Sequence, residues 1–179
     1  NRTLSHVEFP YVFADATYVK GRVNGRVVSR AVVVATGVTA TGDREVLGIE
    51  VGDSESGAFW TSFFKGLRAR GLDGVQLVIS DHHLGLKAAI ASVFVGAAWQ
   101  RCRVHFMRNV LARVPKASVE MVAAAIRTIF AQPNAQHVRS QLGEVTSMLA
   151  PKFPDVAAML TDATEDLLAF SGFPQAHWR

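Results

Sequence analysis

The sequence predicts an α/β protein in which three antiparallel strands come first, helices and strands then alternate, and a helical segment ends the chain. Two observations predict this order. Turn signals separate the first strands, and the spacing of apolar residues changes from every second residue to helical spacing after about residue 53. A third observation, 179 residues with 49% hydrophobic and 19% charged side chains, is typical of a folded globular protein.

The first predicted strand begins near Phe9, ends near Val19 and contains Asp15. At a period of two, apolar residues occupy both of its faces, which is typical of a central strand. A carboxylate is costly to bury in such a strand unless a proton, a cation or several hydrogen-bond donors compensate for its charge. We therefore expect a metal ion near Asp15.

Two turn signals follow the first strand. The pair Asn24-Gly25 favours a tight hairpin, because both residues tolerate a positive φ, and predicts an antiparallel second strand over residues 27–36. The run Thr41-Gly42-Asp43 predicts another turn, with a third strand over residues 45–51. The first three strands should form an antiparallel meander.

Helices and strands then alternate. Aromatic and aliphatic residues at helical spacing predict a helix that follows Ser56, and a strand follows over residues 75–80. Asp81 comes directly after this strand, so a second acidic residue ends a hydrophobic strand. A helix with Leu86 and Ile90 on one stripe comes next. Asp81 has a second interpretation, as the N-cap of that helix.

A fifth strand is predicted over residues 99–106, and everything from Met107 onward shows helical spacing. Proline-containing breaks at residues 132–134 and 151–154 separate three apolar stripes, which we interpret as packing surfaces. The predicted domains are a five-stranded core over residues 1–117 and a helical part over residues 118–179.

The order β-β-β-α-β-α-β is that of the ribonuclease H-like fold, in which carboxylates on neighbouring strands hold divalent cations. Asp15 and Asp81 are the candidate metal pair. Hard carboxylate oxygens suit Mg²⁺ or Mn²⁺. Two such ions about 4 Å apart would activate the attacking oxygen and stabilise the leaving oxygen in phosphodiester chemistry.

The charge of the chain is modest but uneven. The net charge is +4, and residues 1–117 carry fifteen Lys and Arg against nine Asp and Glu. A basic surface of this kind suits a phosphate backbone, although solvated basic faces are common. The longest apolar run, residues 88–99, is shorter than the roughly 20 residues of a membrane-spanning helix. We expect a soluble, intracellular protein without a membrane partner.

The segment around Cys102 offers several interpretations. Cys102 and His105 are too few for a structural zinc site, because such a site needs four ligands. On a strand they would point to opposite faces, which disfavours a nucleophile and base pair. His105 would share a face with Arg101 and Arg103, and this favours an anionic neighbour such as phosphate, with a solvated basic edge as the alternative.

Other polar and aromatic residues are candidate contacts to a substrate. His82 and His83 follow Asp81 and are either contacts to substrate or ordinary polar groups at a helix start. Trp178 would either stack on a base or dock the helical part, and we favour docking.

Four segments together resemble the mutator-type insertion-sequence transposases of bacteria. The similarity covers nearly the whole chain, with the motifs in the family's order and spacing. The segments are Phe13-Ala-Asp15-Ala-Thr-Tyr-Val-Lys20, Asp43-Arg-Glu45-Val-Leu-Gly48, Val78-Ile-Ser-Asp81-His-His-Leu-Gly85-Leu86 and Trp99-Gln-Arg-Cys102-Arg-Val-His105-Phe-Met-Arg-Asn109.

The resemblance implies that Asp15 and Asp81 are the first two members of a D-D-E catalytic triad that uses Mg²⁺ or Mn²⁺. Cys102 and His105 match the family's C-x-x-H signature, which is thought to support the active site. The helices from about residue 118 to 170 resemble the family's helical insertion.

The implied activity is cleavage of DNA at element ends followed by transfer to target DNA, in a homo-oligomeric complex in the bacterial cytoplasm at the nucleoid. The possible DNA contacts are Arg101, Arg103 and Arg108.

One departure concerns the third carboxylate. In the family the glutamate follows shortly after a segment resembling His177-Trp178-Arg179, and this sequence stops before it. We therefore expect a fragment that is inactive alone and binds metal weakly. Two alternatives stay open: a non-catalytic DNA-binding or assembly remnant, and a ribonuclease H-like nuclease that hydrolyses without strand transfer.

Overall fold

The protein is an α/β structure with a mixed five-stranded sheet. A computed structural model describes residues 2–23 and 25–178, and within them there are five strands and seven α-helices. The strands are β1 (Tyr11–Val23), β2 (Arg26–Val38), β3 (Arg44–Gly52), β4 (Leu77–Ser80) and β5 (Ala98–Arg101). The helices are α1 (Gly57–Ala69), α2 (Leu84–Val93), α3 (Arg103–Leu111), α4 (Val119–Ile129), α5 (Ala135–Leu149), α6 (Pro154–Asp162) and α7 (Thr164–Leu168).

The sheet has the order β3-β2-β1-β4-β5, so β1 is a central strand, as its sequence predicts. β1 pairs with β2 and β2 pairs with β3 antiparallel, which confirms the predicted meander. The β1–β2 ladder closes at the pair Val23 and Arg26, and Gly25 between them has a φ of 79°. This is the expected tight hairpin, although Asn24 itself lies outside the described residues.

The chain divides into two compact units, residues 1–99 and residues 100–179. The predicted domain boundary after residue 117 rests on the family resemblance and stays a prediction. In the first unit the core lies on one face of the sheet, where alternate residues of the central strands meet aromatic residues of α1. Its largest members include Trp60, Phe64 and Leu86, all at most 2% exposed.

The first helix begins where its sequence predicts. Ser56 is the N-cap of α1, and its hydroxyl accepts a hydrogen bond from the Phe59 backbone N–H at 3.1 Å. Helices α1 and α2 approach closely at two glycines. A Cβ atom at Gly85 would lie 2.9 Å from the backbone nitrogen of Gly57, so the contact has no space for a side chain. α2 begins at Leu84, three residues after Asp81.

The second unit has its own core, formed by α3 to α7. Gln100 is 3% exposed and joins the end of β5 to the last helices. Its side-chain amide donates to the Leu167 carbonyl at 2.8 Å, and its amide oxygen accepts from the Phe170 backbone N–H at 2.9 Å. A buried amide with these partners is satisfied and orders the backbone beyond α7.

Two predictions about this unit need correction. The predicted strand over residues 99–106 is wrong beyond Arg101, because α3 begins at Arg103 and buries Phe106 and Val110 four residues apart. The third apolar stripe divides between α6 and α7, with a break at Ala163. The predicted breaks near residues 133 and 151 are confirmed. No helix within the described residues has the length and apolar character that crossing a membrane requires.

Candidate active site

The two candidate aspartates follow the paired segment of two neighbouring strands. β1 and β4 pair in parallel, and the last pair in their register is Ala14 with Ser80. Asp15 and Asp81 are the next residue on each chain. Since alternate residues of a strand share a face, both continue the face that carries the pair Phe13 and Ile79. The backbone therefore brings the two aspartates to equivalent positions where the β1–β4 ladder ends.

Asp15 is exposed, which corrects the expectation of a buried carboxylate. The sheet face that carries it is open: Phe13 on the same face is 40% exposed and Ile49 of β3 is 63% exposed. The reasoning from burial cost therefore does not apply to Asp15. Its Oδ1 accepts a hydrogen bond from the Ala16 backbone N–H at 2.9 Å, which restricts rotation of the carboxylate.

Asp81 is partly exposed and does not cap α2. Its Oδ1 accepts a hydrogen bond from the His82 backbone N–H at 2.7 Å. The N-cap is His83, whose Nδ1 accepts a hydrogen bond from the Leu86 backbone N–H at 3.2 Å. The alternative interpretation of Asp81 as the N-cap is therefore wrong, and the helix start gives no structural reason for an acid at this position.

The histidines after Asp81 have different surroundings. His83 caps α2, which matches the plainer of its two interpretations. His82 is exposed, and the centroid of its ring lies 5.9 Å from that of Trp99. His82 thus lies beside Asp81 with an aromatic neighbour.

Sequence reasoning missed the residues that support Asp81. The Trp99 indole donates a hydrogen bond to the Ser80 hydroxyl at 2.8 Å, and this hydroxyl donates to the Asp81 carbonyl oxygen at 3.0 Å. The Lys87 ammonium lies 4.2 Å from the centroid of the Trp99 ring. The sequence carries no local signal for these contacts, since the partners lie on different elements.

The donor set suits a hard divalent cation. Two carboxylates offer oxygen ligands, and Mg²⁺ commonly binds through one or two carboxylates while it keeps several waters. Within residues 2–23 and 25–178 there is no group of three or more His, Cys, Asp or Glu placed to hold a metal ion. Asp15 and Asp81 thus fit part of a metal site.

Cys102 and His105 lie in the second unit, at the start of α3. Cys102 is the N-cap residue and its side chain makes no capping hydrogen bond, while His105 lies in the first turn. The reasoning from opposite strand faces is wrong, because residues three apart on a helix are neighbours. Both side chains are partly exposed. The C-x-x-H spacing therefore fits one turn of helix.

The three arginines proposed as DNA contacts differ in their surroundings. The Arg103 guanidinium carbon lies 3.9 Å from the centroid of the Phe170 ring and 4.4 Å from that of the Phe130 ring. Burial lowers the pKa of Arg103 to about 10, so the side chain remains protonated at neutral pH. Arg101 lies 4.9 Å above the Phe106 ring, whereas Arg108 is exposed on α3.

Trp178 packs within the second unit. Its indole donates a hydrogen bond to the Phe173 carbonyl at 2.8 Å, and its ring meets that of Phe170 edge to face at 5.0 Å. These contacts favour the docking interpretation. Arg179, beside it in the motif, lies outside the described residues.

Comparison with known proteins identifies relatives along the whole chain. It is 49% identical over 172 residues to the transposase for insertion sequence element IS1081 of Mycobacterium tuberculosis, covering 95% of this chain and 41% of that protein. It is 37% identical over 181 aligned positions to the transposase for insertion sequence element IS256 in transposon Tn4001 of Staphylococcus aureus, covering 100% of this chain and 46% of that protein. The chain thus spans less than half the length of these relatives.

Among solved structures, the HTLV-2 integrase catalytic core domain in complex with magnesium is similar at 12% identity, covering 66% of this chain and 86% of that one. Its TM-score is 0.32. The family described as "Transposase, Mutator family" matches residues 1–179. This chain belongs to the Mutator family of transposases.

Proposed function

We propose that this chain belongs to a ribonuclease H-like catalytic domain, with a helical insertion, that cuts DNA at insertion-sequence ends and transfers the cut strand to target DNA. The observation that carries the proposal is the parallel register of β1 and β4, in which Asp15 and Asp81 follow the last pair. Membership of the Mutator family and the names of the relatives support it.

Asp15 and Asp81 are the residues that hold Mg²⁺ or Mn²⁺ in this proposal. A bound divalent cation supplies activation of the attacking oxygen and stabilisation of the leaving oxygen in phosphodiester chemistry. The contribution of the chain is to present two carboxylates from the point where the β1–β4 ladder ends. Each is oriented by a hydrogen bond from the next backbone N–H, at 2.9 Å for Asp15 and 2.7 Å for Asp81.

A third carboxylate belongs to the proposed D-D-E set, and we assign none of the remaining acids to it. The acids of residues 118–179 do not match the family motif, and the described residues contain no cluster of three metal ligands. These acids are Glu120, Glu144, Asp155, Asp162, Glu165 and Asp166. We expect residues 1–179 alone to bind the cation weakly.

The partner is DNA, from the element ends and from the target, and the active complex is a homo-oligomer in the bacterial cytoplasm. The net charge of +4 suits a polyanionic partner. Of the possible DNA contacts, Arg108 has the exposure that a phosphate contact requires, while the partly exposed Arg103 packs against two aromatic rings. Cys102 and His105, at the start of α3, match the C-x-x-H signature that the family resemblance implies has a supporting role.

The test is to remove each carboxylate charge in the full-length gene product. Asp15→Asn and Asp81→Asn should each abolish Mg²⁺-dependent strand cleavage, by at least about a hundredfold, because the cation loses an anionic ligand. DNA binding in a gel-shift assay with EDTA should be unchanged. The control is Asp73→Asn, which removes a carboxylate whose side chain is 86% exposed and pairs with Arg68. Cleavage retained by either site variant would refute the assignment.

The second candidate is a non-catalytic DNA-binding or assembly module that keeps both aspartates as remnants. The observation in its favour is the lack of a third metal ligand within the described part of the chain. It predicts DNA binding that is indifferent to divalent ions, with no cleavage by the full-length product. A nuclease without strand transfer, in contrast, would cleave element ends and give no joined products.

A further inference from the structure

A buried hydroxyl links the end of β4 to the strand that follows α2. Ser80 is 2% exposed, although it is polar. Its hydroxyl accepts a hydrogen bond from the Trp99 indole N–H at 2.8 Å and donates one to the Asp81 carbonyl oxygen at 3.0 Å. A serine hydroxyl has one proton to donate, so the indole leaves that proton available for the carbonyl oxygen. Both hydrogen bonds therefore run in the same direction, from the Trp99 indole to the Ser80 hydroxyl and from that hydroxyl to the Asp81 carbonyl oxygen.

We propose that Trp99 and Ser80 are positioning residues for Asp81, acting through its main chain. This inference rests on the proposed role of Asp81 as a metal ligand. The β1–β4 register ends at Ser80, and Asp81 is the next residue. The Asp81 carbonyl oxygen accepts hydrogen bonds from the Ser80 hydroxyl at 3.0 Å and from the His83 backbone N–H at 3.1 Å, and the Asp81 carboxylate is oriented by the His82 N–H.

The indole ring is itself held in place. The Lys87 ammonium lies over its face at 4.2 Å from the centroid, a favourable cation–π distance. The His82 ring lies 5.9 Å away at an angle of 52°. Trp99 thus touches the residue before Asp81, the residue after it and the helix that begins three residues later. A ring with these contacts couples the position of Asp81 to α2.

The other tryptophan of this unit shows that a packed indole does not need such a bond. Trp60 is fully buried in the core, and its indole nitrogen has no hydrogen-bond partner among the described residues. Its contribution is therefore apolar packing with Phe63 and Phe64. Trp99 is partly exposed and its N–H is directed to one hydroxyl. Trp60 and Trp99 therefore allow a matched comparison between an indole that only packs and an indole that also donates a hydrogen bond.

The experiment removes the link atom by atom in the full-length gene product. Trp99→Phe keeps an aromatic ring beside Lys87 but deletes the N–H, and Ser80→Ala deletes the hydroxyl. Each should raise the Mn²⁺ concentration for half-maximal cleavage about three- to tenfold, the effect of losing one hydrogen bond, while KM for DNA is unchanged. The double variant should be no worse than the more affected single variant, because both remove one link.

Trp60→Phe is the control, and it should leave the Mn²⁺ dependence unchanged even if it lowers the melting temperature. Ser80→Thr keeps the hydroxyl and should restore most of the Mn²⁺ affinity lost in Ser80→Ala. A second measurement uses residues 1–179 alone. Mn²⁺ should broaden the backbone amide resonances of Asp81 and His82. In Trp99→Phe, the same broadening should require a higher Mn²⁺ concentration.

The outcomes separate this inference from the proposed function. If Asp81→Asn retains metal-dependent cleavage, the proposed function is wrong and this inference falls with it. If Asp81→Asn is inactive while folded Trp99→Phe and Ser80→Ala show the wild-type Mn²⁺ dependence, only the positioning role is refuted. The positioning role would also be refuted if the effects of Trp99→Phe and Ser80→Ala on the Mn²⁺ dependence were additive in the double variant. Should Trp99→Phe fail to fold, Ser80→Ala and Ser80→Thr still decide the question.

Discussion

The structure changes the interpretation of Arg103. As part of a basic run it suggests a phosphate contact, but the structure places its guanidinium against both the Phe130 and Phe170 rings, 4.4 and 3.9 Å from their centroids. Both rings belong to the second unit, and Phe170 is also the residue whose backbone N–H binds Gln100. Arg103 therefore joins the start of α3 to the helices of that unit.

We predict that Arg103→Ala destabilises the second unit by about 2–3 kcal/mol, because it loses both cation–π contacts and the packing of the side-chain stem. Arg103→Lys should recover part of this loss, since an ammonium keeps the charge without the planar stacking. Urea denaturation measures the difference. Arg108→Ala, at an exposed position of α3, should change stability by less than about 0.5 kcal/mol.

The same two variants separate stability from DNA binding. Arg108→Ala should weaken DNA binding and reduce the slope of log K against log[salt] by about one, whereas Arg103→Ala should leave that slope unchanged. If Arg103→Ala reduced this slope with no loss of stability, Arg103 would be a DNA contact and its proposed structural role would be wrong.

Single residues of the candidate site could be found from the sequence, but their surroundings could not. Asp15 and Asp81 stand out because each is an acid at a hydrophobic strand. The sequence does not tell which residue caps α2, because Asp81 and His83 both precede it and both side chains accept hydrogen bonds. Ser80 and Trp99 gave no signal, since their contact joins residues 19 positions apart.

Elements were predictable where a local signal and the packing agree. The hairpin after β1, the cap at Ser56 and the helix breaks near Pro133 and Pro151 each follow from local backbone chemistry. The segment after Trp99 has no such signal, since its alternating polar and apolar residues fit a strand. Burial of Phe106 and Val110 in the second unit decides for a helix.

At the scale of elements, the crossing of α1 and α2 depends on Gly57 and Gly85. We predict that Gly85→Ala destabilises the first unit by about 1–3 kcal/mol, because its Cβ would lie 2.9 Å from the Gly57 nitrogen and 3.0 Å from its Cα. Backbone atoms cannot move aside as a side chain can. Thermal denaturation followed by circular dichroism measures the effect.

Gly66→Ala is the matched control for this crossing. Gly66 also lies in α1, but a Cβ there would meet nothing within 4 Å. Because alanine favours helix over glycine, this variant should be more stable by about 0.5–1 kcal/mol. Equal effects of the two substitutions would show that the glycine contact does not limit the approach of the helices.

An ion pair connects α5 and α7 and gives a prediction for pH. Arg139 donates to both oxygens of Glu165, at 2.6 and 3.0 Å. The hydrogen bonds from Arg139 hold the pKa of Glu165 below its ordinary value of 4.5. A carboxyl with a depressed pKa in the folded state stabilises that state above its unfolded pKa, and this contribution disappears as the pH falls through the folded pKa.

We therefore expect Glu165→Gln to lower the melting temperature slightly at pH 7. In acid, once the Glu165 carboxyl of the unchanged chain is fully protonated, the two proteins should have the same melting temperature. The difference should be small and should shrink in 0.5 M salt, because both side chains are exposed. A difference that grows as the pH is lowered would contradict this assignment of the pKa shift.

At the scale of the whole chain, the sequence predicted the α/β class because turn signals separate its strands and helices. The division into units was less predictable. The first compact unit ends at Trp99, which donates a hydrogen bond to Ser80, and the next residue, Gln100, donates one to Leu167 in the second unit. Neither contact is visible in local periodicity, and the predicted boundary after residue 117 rests instead on the family resemblance.

The whole chain also carries the last prediction, that purified residues 1–179 do not cleave DNA. They offer Asp15 and Asp81 where the β1–β4 ladder ends, while no cluster of three metal ligands occurs in the described residues. Two carboxylates leave a cation with fewer protein ligands than the proposed triad, so occupancy at millimolar Mn²⁺ should be low. The measurement is cleavage of a labelled oligonucleotide carrying an element end, with Asp15→Asn as the reference for zero activity. Strong Mn²⁺-dependent cleavage that Asp15→Asn abolishes would show that a two-aspartate site suffices, because a contaminating nuclease would be unaffected by that substitution.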